Sequence, residues 1–323
     1  MSEALLRVEN LSIGYDAGVG QIQALRAASL EAHGGEVIGI VGESGCGKST
    51  LVAALINLLA PNAHVNAGAI YYKGADILTL DAEAQRHLRG PEIAMVFQDP
   101  MTTFNPVLTM GDQLVDFQHH IESVSNVEKR KRAGELLARV GIPDPELCLK
   151  RYPHELSGGM RQRASIAAAL LMTPNVLVAD EPTTALDVTM EAQIIHLLRE
   201  LRSDYQGAII VVTHHLGVVA ELCDRVYVMY AGQVVEQGLV DDIYHAPKHP
   251  YTSALIACDP AHFEEHTPIL PTIGGRVPNL LHPPLGCSFA DRCSLASNRC
   301  REITPPWVKI SETQSALCHE ARP

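Results

Sequence analysis

The chain has 323 residues, 46% hydrophobic and 19% charged. These are the proportions of a soluble globular protein, long enough for two domains or for one domain with an appendage. Its 37 acidic side chains against 25 basic ones leave a net charge of −12, which argues against a broad nucleic-acid-binding face. No apolar run approaches the roughly 20 residues that a membrane-spanning helix requires. "MSEALLRVEN" shows no basic stretch leading into an apolar one, so no secretory leader is expected and the thiols are expected to stay reduced.

The first strong signal is "EVIGIVG" (residues 36–42), a short apolar run ending in glycine, followed by "GKSTLVAALINLLA", whose apolar spacing is helical. The strand–turn–helix between them contains "GESGCGKS", which fits G-x-x-x-x-G-K-[ST] in the context that motif needs. Gly42, Glu43, Ser44, Gly45, Cys46 and Gly47 would curl backbone N–H groups around phosphate oxygens at a helix N-terminus. Lys48 would reach the β- and γ-phosphates and Ser49 would ligate Mg²⁺.

"EIAMVF" (92–97), "NVLVAD" (175–180) and "AIIVVT" (208–213) are continuous rather than alternating apolar runs, as expected for a parallel sheet covered on both faces. Between about 109 and 172 strand signals vanish and helical patterns such as "EKRKRAGELLARVG" take over, predicting a helical lobe inserted into an α/β core. Inside it, "LSGGMRQR" (156–163) places Ser157, Gly158 and Gly159 at the opening of a helix, a second anion-binding helix start. A second cradle in one domain suggests a composite site whose other phosphate partner lies on another subunit.

"NVLVADE" carries Asp180 and Glu181 to the C-terminal end of a buried strand, where ligands sit in open α/β sheets. Asp180 suits Mg²⁺ held through water, and Glu181 is placed to act as general base on an attacking water. Met190, Ile194, Leu197, Leu198 and Leu201 put an apolar stripe on the next helix. "RVYVMYAGQVVEQG" predicts a hairpin turning near Ala231 and Gly232. From about residue 247 the composition shifts to Pro, His and Cys, which marks an appended region.

With these motifs in order, the chain resembles the ATP-binding subunits of ABC transporters over roughly residues 5–245. Residues 42–49 match Walker A, Gln98 the Q-loop, 156–162 the signature, 176–181 Walker B with its catalytic glutamate, 185–187 (including Asp187) the D-loop, and His214 the switch histidine. Tyr15 matches the aromatic residue that stacks on adenine, and Thr50 completes the loop's contacts. The resemblance implies an α/β fold: a P-loop, RecA-like nucleotide-binding core over 1–246, a helical subdomain inserted at about 105–172, and a small cysteine-containing extension over 247–323. It implies Mg²⁺ held by Ser49, Gln98 and, through water, Asp180. It also implies catalysis by Glu181, His214, Gln98 and Lys48, and a head-to-tail dimer with each ATP between Lys48 of one protomer and Ser157 of its mate. One departure is His215, where the family commonly has aspartate.

"FQDPMTTFNP", "VMYAGQVVEQG" and "HAPKHPYTSAL" resemble the oligopeptide and dipeptide importer subfamily. That likeness implies a paralogous ATPase partner, two membrane permeases, an extracytoplasmic solute-binding protein acting indirectly, no nucleic acid, and a place on the cytoplasmic face of the inner membrane. A nickel-complex or glutathione importer, a soluble nucleic-acid ATPase, and a regulatory protein that holds ATP without turnover are the alternatives. The resemblance runs on through Cys287, Cys293, Cys300 and Cys318, spaced C-x₅-C-x₆-C-x₁₇-C. Four thiolates in a reducing compartment suit zinc or an iron–sulfur cluster. No C-x₂₋₄-C pair typical of structural zinc occurs here, so a [4Fe–4S] cluster is expected, with Zn²⁺ as the alternative and His282 and His319 as bystanders.

Overall fold

The computed structural model describes residues 4–184, 186–259 and 271–322. By packing, the chain divides into two units, one formed by residues up to 79 together with those from 211 onward, the other by residues 80–210.

The first stretch of the first unit opens with an antiparallel sheet. β1 (Leu6–Asp16) pairs with β2 (Gln21–Ala32) through a register interrupted by bulges. Asn10 and Ala27 take positive φ at these irregularities. β3 (Val37–Val41) is buried at every residue and delivers the chain into the phosphate loop, whose last glycine, Gly47, caps α1 (Lys48–Leu55) in left-handed backbone. β4 (Ala63–Tyr72) returns along β1, and β5 (Ala75–Asp76) completes the order β2-β1-β4-β5.

In the second unit α2 (Ala82–Leu88) is capped by Asp81, and β6 (Ile93–Val96) follows. α3 (Pro100–Thr103), α4 (Met110–Asp116), α5 (Asn126–Arg139), α6 (Pro145–Lys150) and α7 (Gly158–Leu171) then run without a strand among them. Asp99, Thr109, Ser125, Asp144 and Ser157 cap these five helices through their side chains, each accepting a backbone N–H of the first turn. β7 (Val176–Asp180) pairs parallel with β6, Ile93 facing Val176 and Val96 facing Ala179. α8 (Val188–Asp204) buries Ile194, Leu197, Leu198 and Leu201 of the predicted stripe and Ile195 besides, whereas Met190, the stripe's first member, is only half-buried. β8 (Ala208–Thr213), buried throughout, begins in this unit and ends in the first.

The first unit resumes with α9 (Leu216–Leu222), β9 (Arg225–Tyr230) and β10 (Gln233–Leu239). β9 and β10 form the predicted hairpin; Ala231 at φ +48° and Gly232 at φ +82° are its two central residues, both left-handed, as a tight primed turn requires. β9 also pairs parallel with β3. α10 (Val240–His245) and α11 (Pro250–Ala257) follow, then α12 (Asn298–Glu302), β11 (Trp307–Lys309) and β12 (Ser315–Leu317). β12 pairs antiparallel with β10, placing Ala316 opposite Glu236, so the end of the chain extends the same sheet as the hairpin. Glu236 is fully buried, and its carboxylate accepts the Lys248 and His249 backbone N–H groups and Gln314 Nε2.

Candidate functional site: a nucleotide cradle, a carboxylate pair and a cysteine-lined cavity

The loop after β3 needs its glycines. A Cβ on Gly42 would lie 2.2 Å from the Met229 carbonyl oxygen, and one on Gly47 would lie 2.6 Å from that of Ala24. Lys48 is buried, with Nζ donating to the carbonyls of Gly42 at 2.6 Å and Glu43 at 3.2 Å. The lysine thus folds over its own loop, while Ser44, Gly45 and Ser49 stay exposed. Burial pushes the Cys46 thiol up, opposed by the neighbouring Lys48 charge. The Tyr15 hydroxyl donates to Thr50 Oγ1 at 3.3 Å, which brings the expected adenine-stacking ring to the start of α1. Tyr15 and residues 42–50 therefore form one cluster.

His214 follows β8, and its ring meets that of His215 edge-on at 4.4 Å between centroids. The His215 N–H donates to Thr213 Oγ1 at 3.0 Å, and its side chain does not cap α9, although it stands at the N-cap position. Aspartate there would accept a first-turn N–H, so this departure changes how the turn after His214 is held.

In the second unit Gln98 and Glu181 meet. Gln98 Nε2 donates to Glu181 Oε2 at 2.8 Å, and Thr184 Oγ1 donates to the same oxygen at 2.8 Å. Glu181 takes φ +45°, a left-handed conformation that a non-glycine residue adopts at a cost of order 1 kcal/mol. Asp180 is buried at the end of β7. Ser157 caps α7 by accepting the Met160 N–H at 3.3 Å, and Ser157 and Gly158 are exposed, leaving the helix start open to an anion. A Cβ on Gly159 would overlap Met190 Cε. Asp187 caps α8, and Ala185 of the expected D-loop lies outside the described residues.

Sequence reasoning missed four partners of these residues. Thr184 orients Glu181, and buried Gln162 Nε2 donates to the Pro182 carbonyl, tying α7 to the turn after Glu181. Glu43 is held by Arg292 and Tyr251. Only Thr184, three residues from Glu181, lay within reach of local pattern reading.

Cys287, Cys293, Cys300 and Cys318 line one small cavity together with His249, Phe289 and His319. The Leu295 and Glu320 N–H groups point at the sulfurs of Cys293 and Cys318 at 3.4 Å each. Burial raises the Cys287 thiol to about 11, and the other three cysteines push the same way. No disulfide links these cysteines. Among the described residues no group of three or more His, Cys, Asp or Glu side chains is arranged to hold a metal ion, so the expected cluster or zinc is not shown here. The Cys300 sulfur lies 3.4 Å from the Ser297 hydroxyl. Four thiols lining one cavity are a donor set that suits a soft metal.

Two solved structures define the class. The dimeric post-hydrolysis structure of the ATP-binding cassette MJ0796, bound to ADP and Pi, covers 73% of this chain and 98% of its own at 30% identity and TM-score 0.65. The cbiO1 subunit of the Clostridium perfringens transporter complex cbiONQ covers 76% of this chain and 92% of its own at 32% identity and TM-score 0.65. The fold is that of an α/β ATP-binding cassette. Residues 25–184 match the ABC transporter family, and residues 235–300 match the oligopeptide/dipeptide transporter C-terminal region. The chain is 45% identical to the oligopeptide transport ATP-binding protein OppD of Bacillus subtilis, covering 99% of this chain and 90% of that one. It is 44% identical to the dipeptide transport ATP-binding protein DppD of the same organism, covering 98% and 94%. The chain belongs to the ABC transporter ATPases, in the oligopeptide/dipeptide branch of that family, and is an ATP hydrolase. Among its described residues no helix is long and apolar enough to cross a membrane.

Proposed function

We propose that the chain is the ATP-hydrolysing subunit of a bacterial importer for di- and oligopeptides. The observation that carries this reading is full-length similarity to peptide transport ATP-binding proteins, through both the cassette and the C-terminal region. In this reading the ATPase domain runs to 246, with its helical insert at about 105–172, and the tail begins at 247.

The phosphate loop binds ATP through the backbone of residues 42–47 and through Lys48, whose amine leaves the Gly42 and Glu43 carbonyls for phosphate oxygens. Tyr15 stacks on adenine. Ser49, Gln98 and Asp180 would hold Mg²⁺, which supplies charge neutralisation at the β- and γ-phosphates when bound. Glu181 takes the proton of the attacking water, its carboxylate oriented by Gln98 and Thr184. His214 hydrogen-bonds the γ-phosphate. The exposed start of α7, at Ser157 and Gly158, faces the triphosphate of a partner cassette, and Asp187 lies at the same junction. Support for the sandwich comes from the dimeric state of the similar cassette bound to ADP and Pi.

The partners are a paralogous ATPase, two transmembrane permeases and, indirectly, an extracytoplasmic binding protein. The chain sits at the cytoplasmic face of the membrane as a peripheral subunit. Cys287, Cys293, Cys300 and Cys318 would hold a [4Fe–4S] cluster, or Zn²⁺ in its place, as a staple of the tail; their common cavity supports that assignment.

The test is reconstitution of the assembled transporter in proteoliposomes. Turnover stimulated by a binding protein loaded with di- or oligopeptides is the expected result. Stimulation by a nickel chelate or by glutathione, with none by peptides, would overturn the substrate class. Purification free of permeases and stimulation by nucleic acid would overturn the transporter reading.

A further inference from the structure

The phosphate loop carries a carboxylate of its own. Glu43 stands between Gly42 and Ser44, beside the place where a triphosphate binds, and a negative side chain there opposes the ligand. The structure answers it from far along the chain. Arg292 NH1 donates to Glu43 Oε2 at 2.7 Å and NH2 to Oε1 at 3.0 Å, a two-pronged pair across 249 residues of sequence.

Every donor of that guanidinium is used. NH1 also reaches the Tyr230 hydroxyl at 3.2 Å, NH2 the Ile273 carbonyl at 2.9 Å, and Nε the Gly274 carbonyl at 2.8 Å. Its side chain is only 4% exposed, against 29% for Glu43. The guanidinium also lies 5.6 Å from the centre of the Tyr230 ring and 5.8 Å from that of Phe289. A second arm comes from α11, where the fully buried Tyr251 accepts the Glu43 backbone N–H at 2.9 Å through its hydroxyl. The same tail segment runs along β2, with the Leu280 carbonyl accepting the Gln23 N–H, and the Ser288 hydroxyl and Pro284 carbonyl accepting from Arg26.

We propose that Arg292 is a positioning residue for ATP binding: through Glu43 the C-terminal extension fixes the phosphate loop and neutralises the loop's own carboxylate, which would otherwise repel the triphosphate. The inference rests on residues 42–49 being the phosphate loop. A tail held only for packing has no need of a buried, fully bonded guanidinium forked onto that particular side chain. Arg292 touches no nucleotide in this scheme and acts only through Glu43.

The test is titration of the full chain with Mg·ATP by calorimetry, alongside thermal melting. Arg292→Gln is expected to melt near the parent and to bind ATP about tenfold more weakly, the scale of one uncompensated like charge at short range. Arg292→Gln combined with Glu43→Gln is expected to recover to within about threefold, because the offending carboxylate is gone. A purely structural role would leave the double variant as weak as the single one. If Arg292→Gln does not fold, Arg292→Lys serves instead, keeping the charge while losing the fork, with an expected loss of about threefold. Folded variants that bind ATP as the parent does would overturn the inference, as would a double variant showing no recovery. Lys48→Ala separates the levels. Loss of binding there beside an unaffected Arg292→Gln overturns the inference alone, whereas unchanged binding by Lys48→Ala overturns the phosphate-loop reading and the inference with it.

Discussion

Gln98 donates through Nε2 to Oε2 of Glu181 at 2.8 Å, so the residue that follows β6 holds the carboxylate that follows β7. Glu181 is further fixed by Thr184 and by its left-handed backbone. Glu181→Gln removes the base and keeps the shape. ATP turnover should fall by about 10²–10⁴-fold while ATP affinity stays within about threefold. Single-turnover hydrolysis and equilibrium binding, measured side by side, check both halves; undiminished turnover removes Glu181 from the mechanism.

The glycine demand of the phosphate loop makes a second prediction. Gly42→Ala drives a methyl group against the Met229 carbonyl, a backbone atom that cannot swing away. ATP affinity should drop at least about tenfold, because the backbone N–H groups no longer converge on phosphate. By contrast, a Cβ on Gly45 meets nothing within 4 Å, and only its φ of +80° resists substitution. Gly45→Asn, which tolerates left-handed backbone, should therefore bind ATP better than Gly42→Ala. Equal defects in the two variants would count against the steric account.

Acid lability should trace in part to His249. Its side chain is buried, Nδ1 accepts the Tyr251 N–H at 3.1 Å, and burial lowers its pKa from the ordinary 6.5 to about 3. The unfolded chain gains this proton as pH falls through 6.5, whereas the folded chain resists until about 3, so stability falls with pH across that window. The slope from this one group is about 1 kcal/mol per pH unit. Neighbouring Glu236, whose pKa burial raises, acts in the opposite sense, holding its proton in the folded state as pH rises through the ordinary 4.5. His249→Asn keeps an acceptor and removes the titration. Urea melts at pH 7 and 5.5 should show a shallower loss for the variant, and parallel slopes would exclude His249 as a source.

The tail cysteines give the fourth prediction. If the four thiols hold a cluster, protein purified without oxygen should carry iron and sulfide and absorb in the visible range, and Cys293→Ser should abolish both. Stoichiometric zinc in colourless protein would replace the cluster by the ion. Metal-free protein of full stability would return the cavity to ordinary packing.

Much of the α/β core was legible because its signals are local. β3, β6, β7 and β8 are buried on both faces and therefore read as unbroken apolar runs, and β8 coincides with "AIIVVT" residue for residue. The turn at Ala231 and Gly232 and the cap at Ser157 are equally local chemistry. The sheet of β1, β2, β4 and β5 was not legible as a whole. β4 is largely exposed over "AHVNAGAIYY", and bulges break the β1 register, so no clean alternation survives in sequence. The left-handed turn at Glu181 and the reach of Arg292 to Glu43 depend on tertiary packing alone. The cysteine spacing announced a cluster of thiols, but spacing does not state whether four sulfurs share a centre.

β12 has a further consequence for handling the protein. β12 closes the sheet beside β10, and the residue before it, Gln314, reaches the buried carboxylate of Glu236. A chain cut after Cys300 would shed that amide, leave the Glu236 carboxylate leaning on the Lys248 and His249 N–H groups, and bare the backbone of β10 as a template for intermolecular pairing. Truncation ahead of β12 would therefore yield an aggregating polypeptide rather than a shortened working subunit.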